Sequence, residues 1–283
     1  EADAGEISFG REYDPTDDAK LFVPWPGAGA PLAWAGHGDL LPVLEGKDFW
    51  QGRLRADFST RRFPTDFPST PDGLSRKTWV LGAGPVESIR LVFRNTGNCQ
   101  MVRSFCPGLV PNWPCKKSAY RIMVKAGIVQ RVILAAVMQS FTFDFVFRRR
   151  IDANHNVCFV REQPLPQLSP VHEQWLARLG IALFLDEELM APVRHALLTE
   201  NPELVDHPLP QTESAEAILR AAIEAVVADG YGMTAADLHG IMASTDDPRS
   251  FSKIPMEQRQ AVLSAVDAFS PAAGRHWETL GKI

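Results

Sequence analysis

The chain has 283 residues, 45% of them apolar, and a net charge of −5, which suits one large or two ordinary domains with a sizeable core and excludes a disordered or small disulfide-stapled protein. Glu1 to Thr16 is acidic and polar where a secretory signal needs a basic start and an apolar run. The longest apolar run, Val132 to Phe147, is interrupted by Asp144 and falls short of the roughly 20 residues that cross a bilayer, so a soluble, cytoplasmic protein is expected.

The net charge conceals a polarity. Residues 1–50 carry 3 basic and 10 acidic side chains, residues 51–150 carry 17 and 5, and residues 151–250 carry 5 and 16. A block of +12 between two acidic blocks suggests a polyanion-binding segment. The bland alternative is a domain with its charges spread over all faces.

In chain order, residues 9–22 read as a polar connection ending in a short strand, and residues 24–31 are too rich in Pro, Gly and Ala for regular helix. Residues 40–47 read as a strand entering a glycine turn, continued by Phe49, Trp50 and Gln51. Asp39 with Glu45-Gly46-Lys47 has the residue types of a magnesium nuclease, but they sit too close together for a site that draws its acids from separate strands. The loop-rich, basic stretch that follows interleaves Arg53, Arg55, Arg61, Arg62, Arg76 and Lys77 with Phe58, Phe63 and Phe67. Arginine forks suit phosphates and the O6/N7 edge of guanine.

Residues 78–81 and 89–93 read as paired strands. The Gly82-Ala-Gly84-Pro85 turn between them lacks the third glycine of a dinucleotide loop. Arg94, Asn95, Thr96, Asn98, Gln100 and Arg103 follow, and they include side-chain types that read base edges. Residues 106–115 read as a proline-broken loop, after which Lys116, Lys117, Arg121 and Lys125 lead into a helix. Cys99, Cys106, Cys115 and Cys158 have neither disulfide-framework nor zinc-site spacing, so reduced thiols are expected.

The helix from Val129 is the organising element. Val129, Val132, Ile133, Ala136, Val137, Ser140, Phe141 and Phe145 fall at helical spacing with Ile128, Leu134 and Met138 opposite, which predicts a helix buried nearly all round and ending at Arg148, Arg149 and Arg150. Those arginines admit two readings. They complement the exposed carbonyls of the last turn, or a rigid helix delivers them to a phosphate backbone. A polar turn and a short apolar strand are expected before Pro166.

Beyond it, Ser169-Pro170 starts a helix, residues 186–198 continue helically, and residues 199–212 form an acidic linker. Residues 214–229 form an amphipathic helix with a left-handed cap at Gly230, Thr234 with Asp237 caps another, and Pro255 opens the last. The histidines are scattered, and no nucleophile, base or metal constellation is evident. The expected fold is α+β, a mixed strand/loop domain built on the buried helix over residues 1–167, then a small helical domain over residues 168–283.

Five stretches bear on function when taken in order. They are Gly10-Arg11-Glu12 with Thr16-Asp17-Asp18 and Leu21-Phe22; residues 42–47 with Gln51; residues 91–94 with Arg103; residues 140–145 with His155-Asn156 and residues 163–166; and residues 229–234. Their succession resembles the region C-terminal to the catalytic core in adenine-specific N6 DNA methyltransferases of type IIG restriction–modification and BREX/DISARM-type phage-defence systems. Asn95 departs from the aspartate usual there.

The resemblance implies a target-recognition domain that clamps double-stranded DNA while an upstream domain holds S-adenosylmethionine and flips the adenine. It implies DNA-facing roles for Gln51, Arg94 and Arg103 and framing roles for Glu45, Gly46 and Asp144. The expected DNA-binding set is Lys47, Gln51, Arg53, Arg55, Arg61, Arg62, Arg76, Lys77, Arg94, Asn95, Arg103, Arg148, Arg149 and Arg150.

No Pro-Pro pair occurs, so the Asn/Asp-Pro-Pro-aromatic motif of adenine methylation is lacking. A chain that starts at Glu1 is expected to be a catalytically silent part of a larger enzyme, working with its methyltransferase domain in cis or in trans. A reading of another class is a scaffold subunit whose acidic helical tail docks a protein. Charge reversal at Arg148, Arg149 and Arg150 is expected to weaken binding to every DNA sequence equally, and loss of Arg94 or Arg103 to relax base preference.

Overall fold

The computed structural model describes residues 7–14, 16–18, 22–24, 43–46, 49–50, 52–54, 62–64, 89–151, 155, 157–185, 190–204, 213–243 and 249–269. Of the described residues 50% are helix and 17% strand, the mixed architecture expected. Two compact units emerge, each discontinuous in sequence. The first takes Glu1–Thr96, Cys106–Arg131 and Glu187–Glu200; the second takes Gly97–Phe105, Val132–Asp186 and Asn201–Ile283.

The first unit is built on a four-stranded antiparallel sheet of β1 (Ile7–Gly10), β6 (Ile89–Arg94), β7 (Pro107–Pro111) and β8 (Ala119–Val124), in the order β1-β8-β6-β7. A two-stranded antiparallel pair is made by β2 (Phe22–Pro24) with β5 (Arg62–Pro64), and a short hairpin by β3 (Phe49–Trp50) with β4 (Arg53–Leu54). Strand β6 reads Ile-Arg-Leu-Val-Phe-Arg and is almost wholly buried, as a central strand of β-branched and aromatic residues should be. Phe93 pairs across to Tyr120 and stacks on it at 5.5 Å. Leu44, Phe49, Val92, Val110, Trp113, Cys115 and Ala119 close the core.

Strand β7 overturns the expected proline-broken loop. Its prolines sit at the two ends of the strand, pairing with Phe93 and Ile89, positions where a missing N–H is tolerated. The outer edge is covered by Gly52, which accepts from Leu109 N at 3.0 Å and donates to Pro107 O at 3.2 Å.

The expected single buried helix is two helices, α1 (Ile128–Gln139) and α2 (Phe141–Arg148), bent by 63° at Ser140. Ser140 is extended, its hydroxyl accepts Phe143 N and donates to Val137 O, and Glu224 accepts the N–H groups of Phe141 and Thr142. The second helix therefore has its own cap in the middle of an apolar run. Among the described residues no single helix is long and apolar enough to cross a membrane.

In the second unit the expected strand before Pro166 is a short helix, α3 (Val157–Arg161), in which Val160 is buried. Among the described residues the second unit has no strand to offer it a ladder, so β-propensity is overridden by tertiary context. Helix α4 (Pro170–Phe184) has the expected Ser169 cap and N-terminal proline. After α5 (Ala191–Glu200) comes α6 (Glu213–Gly230), whose residues 221–228 are buried without interruption. It packs on α2, on α4 and on α8 (Met256–Phe269), while α7 (Ala235–Ala243) packs on α8. The left-handed residue after α6 is Gly232, with φ +70°, rather than Gly230, which stays helical.

Candidate nucleic-acid interface

Most described cations of the basic block are tied up inside the fold. In the first unit Glu12 receives Arg90 Nη1 at 2.7 Å, Arg121 Nη1 at 3.2 Å and Cys115 N at 2.6 Å, and Arg90 Nε donates to Asn112 at 2.7 Å. Arg121 is lowered to about 10, chiefly by burial and then by the Arg90 charge. Arg131 donates to Ile89 O, and Lys116 pairs with Glu45 at 2.5 Å.

Arg94 is half-buried. Its guanidinium donates to Gly46 O at 2.7 Å and Phe49 O at 3.2 Å, and Gly46 N donates to Ser118 Oγ. A side chain at Gly46 would fall on Ser118 O, so the residue must be glycine for the chain to pass. The pair Glu45-Gly46 thus frames this corner, holding Lys116 and Arg94 respectively. Asn95 is half-buried and donates its N–H to Ser118 O.

In the second unit the hub is Asp144, fully buried. It accepts Ser104 N at 3.2 Å and Phe105 N at 2.7 Å and pairs with Arg148 at 2.7 Å. Arg148 is itself 0% exposed; it donates to the carbonyls of Ser250, Met101 and Val102 and lies 4.1 Å over the Phe251 ring. A guanidinium so enclosed cannot reach a phosphate, which corrects the expectation for Arg148. Arg103 is buried too, 3.3 Å over the Phe141 ring, and burial lowers it to about 10. Its guanidinium is not presented to a base edge, a second correction.

Arg149 and Arg150 are exposed. Arg149 lies 4.4 Å over Phe145 at an open groove of about 640 Å³ that Met233, Asp237 and Ile241 also line, and Arg150 pairs with Glu162 at 2.7 Å. Arg53 and Arg62 belong to β4 and β5. Lys47, Gln51, Arg55, Arg61, Arg76 and Lys77 lie outside the described residues, as do the expected strand at 78–81 and the Gly82-Ala-Gly84-Pro85 turn.

Glu12 and Glu224 organise these clusters, and the sequence carries little signal for either. Glu12 carries a signal only through the Gly10-Arg11-Glu12 stretch. Glu224 carries one in its position among the buried residues of α6, where a lone acid must be paired. Burial pushes the Glu224 carboxyl up, and hydrogen bonds from Thr142 and Phe141 N and the Arg103 charge pull the other way.

No protein-family model matches the chain, and no curated protein does. One similar solved structure is the type IIL restriction-modification enzyme MmeI in complex with DNA, at 11% identity and a TM-score of 0.46 over 92% of this chain. The chain spans 36% of that protein's length.

Proposed function

We propose that this chain recognises double-stranded DNA as the non-catalytic C-terminal part of an adenine-N6 DNA methyltransferase of a restriction–modification or phage-defence system. The observation that carries the reading is that the stretches resembling that family are one another's partners. Arg94 donates to Gly46 O across 48 positions, Tyr231 Oη to Pro164 O across 67, and Gln163 to Phe143 O across 20, while Arg103 lies on Phe141.

On this reading S-adenosylmethionine and adenine flipping belong to an upstream domain in cis or in trans, and this chain clamps and reads the duplex. Exposed Arg149 and Arg150 supply phosphate contacts, which fix register without carrying sequence information. Filter binding of a duplex at two salt concentrations tests the proposal. A protein making roughly 6–10 phosphate contacts loses about 10³–10⁵ in affinity between roughly 50 and 200 mM salt, and two contacts alone about tenfold. No binding at low salt, or binding indifferent to salt, sinks the proposal. A stable protein complex formed without DNA would favour the scaffold reading instead.

A further inference from the structure

Residues 97–105 form a polar surface turn clamped from beneath by buried charge. Asp144 takes the successive N–H groups of Ser104 and Phe105, Arg148 donates to the successive carbonyls of Met101 and Val102, and Arg103 between them lies on Phe141. Burying a carboxylate and two guanidiniums costs desolvation that an apolar core would avoid. The fold thus holds this short stretch in one shape at a cost in stability.

The tip is fixed as well. The Asn98 side-chain oxygen accepts Gln100 N at 2.9 Å, and its carbonyl accepts Met101 N at 3.2 Å and Ser104 Oγ at 3.1 Å. Gly97 backs onto His155, where a Cβ would come within 2.6 Å of the ring Nε2. Asn98 and Gln100 are the exposed residues that this arrangement presents within residues 97–105.

We infer that Gln100, on the turn clamped by Asp144 and Arg148, reads an adenine of the duplex through paired hydrogen bonds to N6 and N7 in the major groove. The inference rests on the DNA reading above. A glutamine amide carries a donor and an acceptor in one plane, the complement of that adenine edge. Such a contact discriminates only if the backbone presenting it does not yield to the wrong base. Asp144 and Arg148 are positioning residues for it.

Selection of bound duplexes from a randomised library tests the assignment, with the whole chain as wild type and as Gln100→Ala. The wild type should prefer an A·T pair at one position. The variant should lose that preference by about 5- to 150-fold, the ~1–3 kcal/mol of a bidentate contact. Its affinity for mixed-sequence DNA and its salt slope should stay unchanged, since no phosphate contact is lost. Unchanged base preferences in Gln100→Ala, or wild-type binding without an A·T preference, overturn the assignment and leave the DNA reading standing. Absence of salt-dependent DNA binding by the wild type overturns the DNA reading itself, and the assignment with it.

Discussion

Replacing Arg148 and Arg149 one at a time by methionine separates two neighbours that look equivalent in sequence. Methionine keeps much of the apolar stem, so the difference reports the guanidinium. Arg148→Met removes the 2.7 Å partner of buried Asp144 and the donor to Ser250 O, Met101 O and Val102 O. Breaking a buried ion pair from one side costs about 3–5 kcal/mol, because the remaining charge stays buried. Asp144 keeps only the two N–H groups of Ser104 and Phe105 among the partners described above. Arg149→Met removes an exposed guanidinium from the Phe145 ring, worth about 0.5–1 kcal/mol.

In a protein of this size about 1 kcal/mol moves Tm by roughly 2–4 °C. Arg148→Met should therefore melt on the order of 10 °C below wild type, and Arg149→Met no more than about 4 °C below it, as followed by circular dichroism. Equal melting temperatures for the two variants would refute the clamp. So would an Arg148→Met protein that keeps full stability and loses only DNA affinity.

Two further outcomes are expected. The Glu224 carboxyl is raised above its ordinary value of 4.5, so the native state keeps a proton that the unfolded chain releases, and this contribution to stability falls as pH rises from 4.5 through the raised value. Glu224→Gln cannot titrate, so urea midpoints measured from pH 4 to 8 should improve for the variant relative to wild type as pH rises; parallel curves would contradict the assignment. The Cys115 thiol is pushed up to about 12, chiefly by burial and then by the Glu12 charge. A short iodoacetamide pulse at pH 8, read by mass spectrometry, should leave Cys115 unmodified and label exposed Cys158; equal labelling of the two would mean that the core around Cys115 opens readily.

Local signals were enough for three helices of the second unit, α4, α7 and α8. Ser169 with Pro170, Thr234 with Asp237, and Pro255 before Met256 act within one turn of chain, and each helix starts where they place it. The break at Ser140 was not legible, because the apolar spacing runs through it unchanged. It depends on Glu224, 82 and 83 positions away, which takes the first N–H groups of α2. Likewise Pro107–Pro111 resembles a loop until β6 offers it a ladder.

The same division governs the arginines. Charge counts along the chain establish that residues 51–150 are strongly basic, and periodicity establishes that the helix delivering Arg148 to Arg150 is buried. Neither says where each guanidinium points. Arg148 faces Asp144 one turn back and Ser250, 102 positions on, while Arg149 and Arg150 face outward. A long side chain reaches several ångströms, so its partners are chosen by whichever carboxylates and carbonyls the fold brings within that radius. In this chain they make structural supports of Arg90, Arg103 and Arg148 and leave Arg149, Arg150 and the tip residues Asn98 and Gln100 exposed.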